Sequence, residues 1–136
     1  MIPNNIYYVF GLKKQTEEYV LYIGTIHGDE FAPLYFSLKY LTYQFSIGDE
    51  HRKKNIIYIP LLNIEGFIHG VKKRQYPYRK DAHGVDLNRN LPSSNWTDNV
   101  RDSKYHPGSE PLSEPENKFI VKLFEKYPPK FILTLH

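Results

Sequence analysis

The 136-residue sequence contains no cysteine. That excludes a disulfide framework, a thiolate metal site and a cysteine nucleophile, so any bound metal is left to histidine, carboxylate or backbone oxygen. No apolar run approaches membrane-spanning length. The first ten residues, MIPNNIYYVF, have no basic stretch followed by an apolar one and a cleavage site, so no signal peptide is read and a cytoplasmic address is expected. Internal repeats, low-complexity tracts and Gly/Ser linkers are absent as well. Charge of one sign is also missing: 18 basic and 15 acidic side chains leave a net +3, too balanced to argue for a nucleic-acid partner. The local basic runs HRKK (51–54) and VKKRQYPYRK (71–80) read as solvated loops. The twelve tyrosines are scattered rather than grouped as a stacking platform.

What is present suits one domain with a real core and no need of staples. IYYVFGLK (6–13) and EYVLYIGTI (18–26) predict two strands, with KQTE (14–17) as a hairpin turn between them. Residues 31–46 set Phe31, Leu34, Tyr35, Leu38, Leu41 and Phe45 on a helical stripe, and Pro33 is tolerated there in the first turn. NIIYIPLLN (55–63) is a near-continuous apolar run, which predicts a strand covered on both faces. Residues 64–112 read as one loop-rich stretch, too long to be idle in a compact domain: it is either functional or partly disordered.

SEPE (113–116) predicts a helix start, with Ser113 as cap, Glu116 as its capping-box partner and Pro115 in the first turn. Phe119, Ile120, Leu123 and Phe124 give that helix its buried face, YPP (127–129) stops it, and KFILTLH (130–136) predicts a buried strand. Strands alternating with helices predict an α/β fold, with a mixed, mainly parallel sheet and flanking helices.

The chemistry-bearing stretch is GTIHGDE (24–30), where an apolar strand runs out into His27 and Glu30, three positions apart. His-x-x-Glu alone is a weak pattern. Its position helps, because ligands of open α/β sheets bind beyond the carboxyl ends of strands. A strand end running into a helix also puts residues i and i+3 on one side. A catalytic zinc takes three protein ligands. His136 is the third candidate, since it closes the second apolar run that ends in histidine. Against this stands the plainer reading of a strand-terminal histidine as a half-buried polar cap. Gly28 is expected to supply a tight turn between the two ligands, and Asp29 to sit beside the site without touching the metal. His51, His69, His83 and His106 fall in basic or Gly/Pro loops and are expected to be exposed and unligated.

RKDAHGVDLNRNLP (79–92) completes a pattern. With His27 and Glu30 before it and His136 after it, the sequence resembles the zinc carboxypeptidases of the carboxypeptidase A type. HPGSEPLSEPE (106–116) resembles a further stretch of that family, in a form nearest to its bacterial murein peptide amidase branch. The resemblance implies one zinc ion held by His27, Glu30 and His136. It implies Arg79 as the catalytic oxyanion stabiliser, and Arg79, Asn88 and Arg89 as substrate-binding residues that grip a terminal carboxylate. It implies a small peptide substrate with a free C-terminal carboxylate, cell-wall-derived γ-D-glutamyl–diamino acid peptides being the favoured class. Neither nucleic acid nor membrane is an expected partner. Asp86 is expected to be structural, bonding loop amides or bracing a ligand.

The sequence departs from that family in three ways. The sequence stops at His136, whereas the family's general-base glutamate lies many residues beyond the third ligand. The 136 residues are therefore expected to be the N-terminal portion of one carboxypeptidase-like domain, inactive alone. Leu91 stands where an aromatic is usual, and NIEG (63–66) where Asn-Pro-Asp-Gly is common. Two other readings stay open: an N-acyl amino acid deacylase of the aspartoacylase and succinylglutamate desuccinylase type, and a non-catalytic zinc-binding half-domain.

Overall fold

The computed structural model describes residues 7–10, 18–48, 51, 54–73 and 78–136. Strands β1 (Tyr8–Phe10), β2 (Tyr19–Gly24), β3 (Asn55–Ile59) and β4 (Pro129–Leu135) form one sheet in the order β1-β3-β2-β4. Both β3 and β4 run parallel to β2, while β1 is antiparallel to β3. The expected mixed, mainly parallel α/β architecture is thus present. The expected hairpin is not: β3 lies between β1 and β2, so these consecutive strands are not partners. The KQTE turn lies outside the described residues.

Alternation along the strands builds two cores. Leu21, Ile23, Ile57 and Ile59 point to one face, where they meet Ile120 and Leu123 of helix α3 (Pro115–Lys126). Tyr22 and Tyr58 point to the other, against Leu41 of helix α1 (Phe31–Ser46). Burying three or four such side chains at roughly 1.5–3 kcal/mol each is what fastens a helix to a sheet.

The span of α1 agrees with expectation and its buried face does not. Pro33, Ser37, Leu41 and Gln44 are buried, whereas Tyr35, Phe36, Leu38 and Phe45 of or beside the apolar stripe are exposed. The reason is close approach. A Cβ on Gly24 would lie 2.2 Å from Ser37 Oγ, so the helix meets β2 through small side chains. Tyr58 then donates its hydroxyl to the Ser37 carbonyl, and Tyr22 and Tyr40 stack beside it. Aromatic bulk comes mainly from the sheet, with Tyr40 the ring that α1 adds.

Helix α2 (Ile64–Lys73) interrupts the stretch expected to be loop, and two short 3₁₀ turns follow at Leu87–Arg89 and Ser103–Tyr105. Asn63 caps α2 by accepting from the Gly66 amide at 2.9 Å. Helix α3 also starts one residue later than the SEPE reading placed it: Glu114 is the cap position, without a side-chain cap bond, and Pro115 is the first helical residue. Ser113 is occupied instead by Asn90, whose Nδ2 donates to its hydroxyl at 2.8 Å. Strand β4 is present but not buried: Phe131, Ile132 and Leu133 are half exposed or more, because β4 is the edge of the described sheet. No described helix is long and apolar enough to cross a membrane.

Candidate metal centre

Strand β2 ends at Gly24, and the next residue, Thr25, is fully buried with φ of 53°. Left-handed backbone is costly for a β-branched residue and clusters at functional sites. Two ladder-like bonds hold it there, from Leu62 N to Gly24 O and from Asn63 N to Thr25 O, each 3.1 Å. The chain then turns through His27, Gly28 and Asp29 into α1. Gly28 is needed for space rather than for a left-handed turn: its φ is not positive, and a Cβ there would lie 2.6 Å from the Gly66 carbonyl carbon. The α2 backbone therefore packs directly against the ligand turn.

Glu30 occupies the cap position of α1 but makes no side-chain cap bond. Its carboxylate turns back instead: Oε2 accepts from the His27 amide at 3.0 Å, and Oε1 lies 2.6 Å from His27 Nδ1. His136, just beyond β4, brings its Nδ1 to 3.1 Å from the same Oε1 and 3.4 Å from His27 Nδ1. Two imidazole nitrogens and one carboxylate oxygen so form a small triangle. Ligands at about 2.0–2.1 Å from a tetrahedral zinc lie about 3.3 Å from one another. Two edges are near that length, and the third is drawn in by the hydrogen bond between His27 and Glu30. The donor set and its spacing fit zinc without rearrangement of the backbone.

The opposite nitrogen of His27 explains how Nδ1 is presented. Nε2 lies 3.1 Å from Oδ1 of Asp86, which is fully buried. With both ring nitrogens facing carboxylates the ring is held as the imidazolium, and loss of the Nδ1 proton, with Nε2–H kept on Asp86, would free the Nδ1 lone pair for a metal. Asp86 Oδ2 accepts from Arg79 Nε at 2.8 Å, and Oδ1 also accepts from the Asn88 amide at 3.0 Å. The expected bracing role of Asp86 is thus visible in its contacts.

Electrostatics follow from these bonds. Burial works against charge on His27, but its hydrogen bonds to Asp86 and Glu30 hold its pKa above the ordinary histidine value. Burial likewise opposes ionisation of Glu30 and Asp86. The His27 bond for Glu30, and the His27 and Arg79 bonds for Asp86, hold both carboxyls below their usual range.

The remaining expected residues are placed less tightly. Arg79 reaches the centre through Asp86, and its guanidinium lies 5.4 Å from the Tyr105 ring. Arg89 is exposed, with its guanidinium 5.7 Å from the same ring. Asn88 touches Asp86 through its backbone amide, and its side chain is half buried. Asp29 lies beside the centre, lining with Arg79, Lys80, Lys104 and Tyr105 a cleft of about 370 Å³.

Tyr105 was not anticipated. It stands in the long central stretch with no local pattern to mark it, and the Ser103–Tyr105 turn alone brings it under both arginines. One of the histidines expected in exposed loops differs, while His83 is exposed as expected and gains a carboxylate partner. His69 lies in α2, stacked on Tyr78 at 4.3 Å, and exposed His83 bonds Glu114 at 2.6 Å.

Comparison with known proteins agrees with the fold and with zinc as the expected metal. Residues 4–136 match the zinc carboxypeptidase family, and the chain belongs to it. Murein peptide amidase A of Escherichia coli (strain K12) is 33% identical over 73 residues, covering 46% of this chain and 30% of that protein. The Vibrio campbellii protein of the same name is 36% identical over 69 residues, covering 43% and 28%. These matches span less than a third of the relatives' own length. Carboxypeptidase A from Helicoverpa armigera superposes with a TM-score of 0.77 at 23% identity, over 96% of this chain and 36% of that one. The murein-tripeptide amidase of Escherichia coli O157 gives 0.61 at 24% identity, over 88% and 49%. At such identity these structures bear on the fold.

Proposed function

We propose that the chain carries the metal-binding part of a zinc-dependent metallocarboxypeptidase that hydrolyses the C-terminal amino acid from small peptides. Cell-wall-derived γ-D-glutamyl–diamino acid peptides are the favoured substrates, which suits a cytoplasmic enzyme acting on recycled wall fragments. The observation that carries the reading is the triangle of His27 Nδ1, Glu30 Oε1 and His136 Nδ1, with Asp86 behind it. On this reading residues 1–136 are the N-terminal portion of a single catalytic domain.

When bound by these three side chains, zinc supplies Lewis-acid polarisation of water and of the scissile carbonyl. The protein's own groups do the rest. Asp86 fixes the His27 tautomer and holds the Arg79 guanidinium by one edge, so that charge is pre-aimed at the oxyanion that develops during attack. Asn88 and Arg89 grip the substrate's terminal carboxylate, for which a guanidinium fork is well shaped. The cleft carrying Arg79, Lys80 and Lys104 offers an anionic peptide a cationic wall. The general base is not assigned to any of these residues.

The test is a substrate panel. The polypeptide expressed from the native gene is supplied with zinc and offered a γ-D-glutamyl–diamino acid peptide, the same peptide with its C-terminus amidated, and a set of N-acyl amino acids. Release of the C-terminal residue from the free peptide alone is expected, read by mass spectrometry. Cleavage of the N-acyl amino acids instead would replace the proposal with a deacylase. Zinc binding without turnover of any substrate would leave a non-catalytic module.

A further inference from the structure

A second group of titratable side chains converges away from the first centre, where the 79–90 loop meets the start of α3. Asp81 is 2% exposed. Its Oδ1 accepts from the amides of His83 and Val85, at 2.9 and 2.8 Å, which ties the loop into a tight turn. Its Oδ2 is buried and meets no donor. Glu114, also buried, bonds His83 Nδ1 through Oε2 and accepts from the Ser113 hydroxyl through Oε1, both at 2.6 Å. Glu116, one residue beyond Pro115, has a buried Oε2 with no donor either. One oxygen of Asp81, one of Glu114 and a ring nitrogen of His83 lie within 4.8 Å of one another.

Three carboxyls gathered in a buried corner need something positive among them. Protonated His83, which its bond to Glu114 favours, supplies one positive partner but leaves Asp81 Oδ2 without a donor, and two further means are available. One is a proton: burial, with Glu114 and Glu116 close by, pushes the Asp81 carboxyl up to about 7. The other is a metal cation, which one oxygen each of Asp81 and Glu114 and a ring nitrogen of His83 could share. A proton serves Asp81 and Glu114 only and leaves His83 in a separate bond.

We propose that Asp81, His83 and Glu114 form a second divalent-metal site that binds a zinc-class ion. The imidazole donor favours such an ion over calcium or magnesium, which take oxygen ligands. The His83 side chain is 66% exposed, so the ion has a route in from solvent. Once bound, it fastens the loop bearing Arg79 and Asp86 to the first turn of α3. Its role is to position the loop, and it requires neither hydrolysis nor occupancy of the first centre.

Zinc titration of the purified chain against a chromophoric chelator, with metal analysis after dialysis, tests this. The unaltered chain is expected to bind two equivalents and His83→Ala one. A chain with His27→Ala and His136→Ala together is expected to keep one, and the triple variant none. Zinc should raise the unfolding temperature of the double variant and not of the triple. The proposal is overturned if His83→Ala still binds two equivalents, or if the unaltered chain binds only one and His83→Ala binds that one unchanged. Should the double variant fail to fold, the comparison of His83→Ala with the unaltered chain decides alone, since that exposed side chain is outside the core. Loss of the equivalent that depends on His27 and His136 would instead count against the first centre and leave this one standing.

Discussion

At the scale of single residues, Asp86 joins the parts of the site. One buried carboxylate meets His27, Arg79 and the Asn88 amide, so the expected metal ligand, the expected oxyanion donor and the expected carboxylate clamp share one support. Partners of this kind typically contribute 10–100-fold in metal affinity. Asp86→Asn keeps the shape and removes the charge, and it is expected to weaken zinc binding by about 10–100-fold in chelator competition. Unchanged affinity would mean that His27 needs no charged partner. On the proposed function, the two arginines serve different steps. In the polypeptide expressed from the native gene, Arg79→Ala is expected to lower kcat by about 10²–10³-fold, whereas Arg89→Ala chiefly raises KM. Equal effects on both constants would undo that division.

At the scale of elements, the ligand turn depends on the backbone of α2. Gly28→Ala drives a Cβ into Gly66 and Phe67, where no side chain can swing away. It is expected to cost about 1–3 kcal/mol in urea unfolding and to weaken zinc binding, because His27 shifts with the turn. Little of this was legible locally. Gly28 could be read as turn glycine from the sequence, but the helix it touches lay in a stretch expected to be loop. Yet Ile64, Phe67, Ile68 and Val71 hold helical spacing, and Asn63 stands at a cap position, so a signal for α2 was there beneath the glycines.

Glu18 pairs with both Lys54 and Lys130, tying the starts of β3 and β4 to that of β2. Those two lysines, Lys130 first, hold its carboxyl down at about 2. A depressed carboxylate contributes stability that is present above its ordinary value of 4.5 and is lost as pH falls towards 2. The expected loss between those values should shrink in Glu18→Gln. Added salt should shrink it too, because the group is exposed. A pH profile identical in the variant would show the pairing to be idle.

At the scale of the whole molecule, the metal triangle links positions 109 residues apart, at the end of β2 and the end of β4. Binding there is therefore coupled to the closing of the sheet. Zinc at about 100 times its Kd should stabilise the fold by about 2.7 kcal/mol per site, read as a rise in the thermal midpoint. Glu30→Ala should remove the part of that rise belonging to the first centre. Sequence and structure contributed differently to this picture. β-branched, aromatic and near-continuous apolar runs marked the strands, helical apolar spacing marked the spans of α1 and α3, and their alternation marked the mainly parallel sheet, because such runs reflect local backbone geometry. Strand-end placement and spacing singled out His27, Glu30 and His136, and the resemblance to the zinc carboxypeptidases added Arg79, Asn88 and Arg89. Only tertiary structure decided that β3 separates β1 from β2, that α1 lays Ser37 and Leu41 on the sheet while its aromatic stripe faces outward, and that Tyr105 lies under two arginines. It alone brought Asp81, His83 and Glu114 together. Those outcomes depend on how closely two backbones approach and on which distant side chain fills the space between them, and neither is written in any local run of residues.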